Sequence, residues 1–180
     1  MKYIAVIILA WMSIFTQAGQ GTYACKNAKI SLFSAAPIAD ISASTSAGVS
    51  TYNAASGELV FSVNTNSFQF PKKLMQEHFN TEYIESEKYP KATFAGKIQE
   101  HPDLSKNGTS PITVIGELEV HGVKLARTIN GNMTVNNGVI SMTSEFIVKT
   151  ADHHIKVPKI VFSKIAETIK MNVSAVYAKQ

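Results

Sequence analysis

Glu58 to Thr65 alternates without a break. Leu59, Phe61 and Val63 fall on one side, and Glu58, Val60, Ser62 and Asn64 fall on the other. A period of two is the signature of a strand with one buried face. Phe68 and Phe70 carry the apolar face past Asn66. The pattern then changes period. Pro71 suits a first helical turn, and Leu74, Met75, His78 and Phe79 share one helical face while Lys72, Lys73 and Gln76 face away. Asn80 tolerates a left-handed backbone and is the expected helix end. A helix of about nine residues is marginal alone, so an apolar surface must hold it.

Alternation resumes after Pro90, with Ala92, Phe94 and Ile98 opposite Thr93, Ala95 and Lys97. His101 to Ser110 reads as a loop. Ile112, Val114, Leu118 and Val120 mark the next apolar face, opposite Thr113, Glu117, Glu119 and His121, and Gly122 turns the chain. A long strand follows over Val123 to Val135, and Asn136-Asn137-Gly138 signals a hairpin. Ile140, Met142, Phe146 and Val148 line the strand after it, and Ile169, Met171 and Val173 line the last one. Upstream, Ile30 to Phe33 reads as a short first strand, Pro37 to Asp40 as a break and Ile41 to Ser50 as a weakly patterned strand. Asp152 to Pro158 reads as a loop, and Lys159 to Ala166 is ambiguous. The sum is an all-β, antiparallel protein of about eight strands with one short helix. Spacing alone leaves a sandwich and a closed barrel both open.

The 180 residues begin with Lys2, an apolar run from Ile4 to Phe15, and Thr16-Gln17-Ala18. That run suits the core of a signal peptide and is short for a membrane span. Cleavage is expected after Ala18, leaving residues 19–180 as one domain of a periplasmic or secreted protein. The formal charge of +4 is scattered along the chain, which argues against nucleic acid as a partner. Cys25 is the sole cysteine, so no internal disulfide forms; a buried thiol in the first strand fits better than a lipid-bearing one.

Candidate chemistry is sparse. His78, close to Glu77, Asn80 and Glu82, could do acid–base work, but a histidine on the apolar face of a short helix is more often a packed or rim residue. No nucleophile motif accompanies it. Asp152-His153-His154 resembles a metal cluster, yet on a strand the two histidines would point to opposite faces, and no metal-ligand spacing occurs. Glu82, Glu85 and Glu87 read as a solvated acidic linker answered by Lys88 and Lys91. No catalytic residue, metal site or covalent cofactor is therefore expected.

The interior faces say more. They collect Phe61, Phe68, Phe70, Phe94 and Phe146 with Met133, Met142 and Met171, beside aliphatic Leu59, Val63, Ile112, Val114, Leu118 and Ile169. Pockets for long apolar ligands are lined this way, and so are filled cores.

Leu74 to Ile98 closely resembles the signature region of the YceI-like family: a helix carrying a His-apolar pair (His78-Phe79), a Tyr-Pro strand start (Tyr89-Pro90) and an A-T-F strand (Ala92-Thr93-Phe94). Gly57 to Phe70, Gly116 to Lys124 with its H-G-V corner, and Asp152 to Tyr177 resemble further segments of that family, the last those of a short subgroup. The resemblance implies a lipocalin-like antiparallel barrel that encloses a long polyisoprenoid chain, such as a quinone or a prenyl lipid tail. On that reading the wall and lid residues named above bind the lipid: Leu74, Met75 and Phe79 press into the barrel mouth, and His78 and Asn80 form a polar rim. The expected partner is an apolar lipid, and a homodimer remains open as an assembly. The competing expectations are an exported stress-response or structural barrel with a filled core, and a hydrolase built on His78.

Overall fold

The computed structural model describes residues 21–35, 40–156 and 167–180. Eight strands run in chain order around a closed antiparallel barrel: β1 (Thr22–Ser34), β2 (Ile41–Asn53), β3 (Glu58–Asn64), β4 (Lys91–Ile98), β5 (Gly108–Val120), β6 (Val123–Asn136), β7 (Val139–Lys149) and β8 (Thr168–Lys179). Among the described residues the α-helical excursion lies between β3 and β4. It comprises α1 (Lys73–His78) and a wider π turn over Phe79–Tyr83. The leader with its cleavage point, most of the Pro37 break and the ambiguous Lys159 to Ala166 stretch lie outside the described residues.

The first strand is far longer than its alternation suggested. Its register against β2 shifts on either side of Ala28, so Cys25, Ala28 and Ile30 all bury their side chains although their spacing breaks the period of two. Such a bulge adds one residue and bends the strand. The turn at Asn137-Gly138 matches its sequence signal, with positive φ of 47° and 78°. His121-Gly122 makes a second tight turn of the same sign, with φ of 52° and 72°. β5 starts at Gly108, inside the stretch read as a loop, because Gly108 to Ser110 pair with Val135 to Met133 of β6.

The barrel has two unlike ends. At the end carrying both chain termini of the barrel, Tyr52, Ile98, Met133, Ile140 and Tyr177 pack into a continuous core. Tyr177 donates its hydroxyl to Ser50 Oγ at 2.8 Å, and Ser50 donates to the Val60 carbonyl at 2.8 Å. Burial pushes the Tyr177 phenol well above its ordinary pKa, so it stays a donor. At the other end a smaller apolar cluster of Ile30, Leu32, Ala43, Val63 and Phe68 sits beneath the helical excursion.

Strands β4 and β5 approach closely where Gly96 faces Gly116. A Cβ on Gly116 would stand 2.3 Å from the Ala95 carbonyl oxygen, so only glycine admits this approach. Gly116→Ala is expected to destabilise the fold by about 1–3 kcal/mol, the usual cost of overpacking, read as a lowered midpoint in urea unfolding.

Candidate functional site

Between the packed end and the helical excursion lies a cavity of about 410 Å³. Its wall is built from the inward residues of the strands. β3 contributes Leu59, Phe61 and Val63; β4, Phe94; β5, Ile112, Val114 and Leu118; β7, Met142 and Phe146; β8, Ile169 and Met171. Phe68, Phe70, Met75, His78 and Phe79 close it from the lid side.

The lid is held by packing more than by its own helix. α1 has no side-chain N-cap and no fully buried residue. Phe79 supplies the anchor, its ring 5.9 Å from that of Phe68 and 4.9 Å from that of Phe70. Ile84, only 6% exposed, follows it into the cavity. Burying one such side chain contributes about 1.5–3 kcal/mol. The run into the lid is tied to β2, where Ser44 and Gln69 exchange backbone hydrogen bonds of 3.1 and 2.8 Å. The run out is tied to the same region, since Thr65 donates its N–H to the Pro90 carbonyl and its hydroxyl to the Tyr89 carbonyl, each at 2.9 Å.

Three sequence expectations fail at the lid. The chain does not end its helix at Asn80. It widens into the π turn, with the Ile84 N–H donating to the Phe79 carbonyl at 2.9 Å, and reaches positive φ only at Glu85. Met75 and Phe79 point in, while Leu74 is 62% exposed and does not press into the mouth. Asn80 is not on the cavity rim; its carbonyl oxygen Oδ1 accepts from Ser86 Oγ at 2.9 Å, inside the lid. Met133 also misses the cavity, because its position on β6 places it in the packed end at 1% exposure.

Sequence reasoning missed other wall residues. Ile30 and Leu32 of β1, Ile129 of β6 and Val148 of β7 all line the cavity. Their parity with Ser34, Met133 and Phe146 carried that signal. It also missed a clasp at the top of the barrel. Glu85, read as part of a solvated patch, holds His121 Nε2 at 2.7 Å. His121 Nδ1 lies 3.1 Å from the His153 carbonyl oxygen, so each ring nitrogen faces an acceptor. The Tyr89 ring packs tilted against the imidazole, with centroids 4.3 Å apart and planes at 54°, and covers Gly122. One side chain in the β5–β6 turn thus joins the lid to the segment after β7.

His153 is fully buried in a short 3-10 turn (Ala151–His153), and His154 is exposed beside it with φ 55°. His153 Nδ1 donates to the Val120 and Val123 carbonyls, each at 3.2 Å, and Nε2 has no partner. Among the described residues no group of three His, Cys, Asp or Glu side chains is placed to hold a metal. His78 and Glu82 stand 4.0 Å apart, both well exposed, beyond a direct hydrogen bond.

A closed eight-stranded barrel with an apolar interior cavity under a helical lid defines a lipocalin-like architecture. The chain belongs to the YceI-like domain family, which matches over residues 23–177. Among solved structures, a polyisoprenoid binding domain from Saccharophagus degradans, implicated in plant cell wall breakdown, superposes with a TM-score of 0.75 at 14% identity, over 88% of this chain and 98% of that one. Burkholderia cenocepacia BcnA gives 0.70 at 15% identity, over 83% and 95%. The Campylobacter jejuni YCEI protein gives 0.56 at 18% identity, over 74% and 80%. At these identities the likeness establishes the fold. The comparison with curated protein sequences finds no match.

Two outcomes are expected from the clasp. His121→Ala should cost about 1–2 kcal/mol for the lost hydrogen bonds and speed amide exchange across residues 73–90 at least tenfold more than across β5, read by mass spectrometry. Burial, helped by the charge of Arg127, lowers the His153 pKa below its ordinary 6.5. The unfolded chain therefore takes up this proton at a higher pH than the folded one. The stability tied to neutral His153 is complete above about pH 6.5 and is lost as pH falls through the lower folded value. Unfolding midpoints should drop between pH 7 and pH 5, and His153→Gln should flatten that slope.

Proposed function

We propose that this protein is a non-enzymatic carrier or buffer of a long apolar lipid of the isoprenoid type, a quinone or a polyprenyl chain, held inside the barrel. The observation that carries the reading is the apolar cavity under a helical lid. Its volume of about 410 Å³ lies within the range of about 300–1,000 Å³ typical of small-molecule sites. Each buried CH₂ of a ligand contributes about 0.8 kcal/mol before the costs of binding. The lid reaches the barrel through side chains and a few hydrogen bonds, so it can part from the mouth without breaking a strand ladder. The Saccharophagus degradans domain, described as polyisoprenoid-binding, supports the same ligand class. The apolar leader supports work outside the cytoplasm, in the periplasm or as a secreted protein.

The filled-barrel reading is disfavoured by the cavity itself. The hydrolase reading is disfavoured by the exposed, loosely paired His78. Expression of residues 19–180 in a bacterial periplasm, purification without detergent, native mass spectrometry and organic extraction test the proposal. A copurified quinone or prenyl lipid is the expected result. A clean protein mass, unchanged after incubation with such lipids, would overturn it. Leu118→Asp, which places a charge in the wall, should reduce the copurified lipid at least tenfold while the barrel stays folded by circular dichroism.

A further inference from the structure

The barrel has two seams at which neighbouring strands part toward the lid end. Strand β2 meets β3 only from Val49↔Ser62 to Tyr52↔Leu59. That first seam is laced by the Ser44–Gln69 backbone pair and by the hydroxyls of Thr45 and Ser67, 2.9 Å apart. The second seam differs. β6 pairs with β5 from Val123 to Val135, and β7 pairs with β8 from Ile140 to Lys149. Yet β6 and β7 meet each other only between Asn136↔Val139 and Gly131↔Ser144. Among the described residues, neither 123–130 of β6 nor 145–149 of β7 has a ladder partner across this gap.

The gap is framed at both ends. At its foot, Gly131 packs so closely that a Cβ would stand 2.4 Å from the Thr143 carbonyl oxygen, and Ser144 Oγ donates to the Asn130 carbonyl at 2.7 Å. At its head, His153 holds the Val120 and Val123 carbonyls of the β5–β6 turn. Between the two, Arg127 of β6 reaches across, and its Nη2 donates to Asp152 Oδ2 at 3.1 Å. Arg127 Nε is buried without a hydrogen-bond partner. Asn130, Gly131, Thr143 and Ser144, at the foot of the gap, border the cavity together with inward Ile129 and Met142. Asn130 and Thr143 are also exposed on the outer face, so the gap begins where cavity and surface lie closest together.

The geometry points to this slot as the lateral doorway of the cavity, through which a single-chain amphiphile threads its tail and at whose lip its polar head, bearing acceptor oxygens, remains. This rests on the lipid-carrier reading and adds a route and an orientation to it. The interior cavity is small for a long polyprenyl chain, so a long ligand has to emerge somewhere, and the slot is the polar-lipped place to do so. Asn130, Thr143 and the unpartnered Nε–H of Arg127 are the groups that would meet an oxygen-bearing head, whereas Asn80 on the lid is already engaged with Ser86.

The test uses two probes on the mature chain: geranylgeraniol carrying a benzophenone at its head end, and all-trans retinol, whose fluorescence rises on burial. Photocrosslinks mapped by peptide mass spectrometry are expected within residues 124–130 and 143–149. Asn130→Trp and Thr143→Trp, both at exposed positions, should slow retinol association and dissociation at least tenfold and change its Kd less than twofold. Leu74→Trp, on the outside of the lid, should leave both rates unchanged. Crosslinks confined to residues 75–84, with rates untouched by the slot variants, would overturn the doorway and leave the carrier reading standing. Failure of the unmodified protein to bind either probe would overturn both.

Discussion

Strand β1 pairs with β8 from Lys29↔Ser174 to Phe33↔Lys170, and this ladder turns a curved sheet into a closed wall. Closure leaves no free edge between first and last strand and commits every inward side chain to one shared interior. The bulge around Ala28 bends β1 toward its partners, and the glycine pair at Gly96 and Gly116 lets β4 and β5 approach closely. A wall closed in this way still has to be filled or capped. Large side chains fill one end, and at the other a short helix is laid over what they leave empty.

Most of the barrel was legible because a half-buried strand writes its alternation directly into the chain. The hairpin at Asn137-Gly138 and the pattern from Leu59 to Val63 needed nothing further. The elements that were misread share a cause. The bulge at Ala28 breaks the period of two and hides the first half of β1, and Gly108 to Ser110 carry no apolar face, so the start of β5 reads as a loop. In both places partners from distant strands override weak local preference. The wall residues on β3, β4, β5, β7 and β8 could be read from parity. Asn80 could not, because the chain runs on through it into a π turn that residue spacing does not encode, and Leu74 could not, because the short helix seats Met75, His78 and Phe79 on the mouth and leaves Leu74 at its edge.

The clasp was illegible for a different reason. Glu85, His121 and His153 lie on three separate loops, and nothing in their spacing brings them together. His121 falls on the polar side of the β5 alternation and reads as a solvent-facing residue. The tight turn it occupies, at positive φ, instead folds its ring beneath Tyr89. Short-range pattern describes walls well and describes loop-to-loop contacts poorly.

The unlike ends of the barrel also divide its labour. The tyrosine-sealed end, with Tyr52, Tyr177 and Met133 almost inaccessible, forms the deepest cooperative unit of the molecule. The lid, the β5–β6 turn and the segment after β7 are joined to each other by a few side chains, and the lid is joined to the wall by a few rings and backbone hydrogen bonds. Excursions of that upper layer therefore have their own, smaller free energy, separate from global unfolding. The protein can breathe at one end on a fast clock while its lifetime as a folded molecule is set at the other, and sequence drift in the upper layer can retune the breathing without shortening the life.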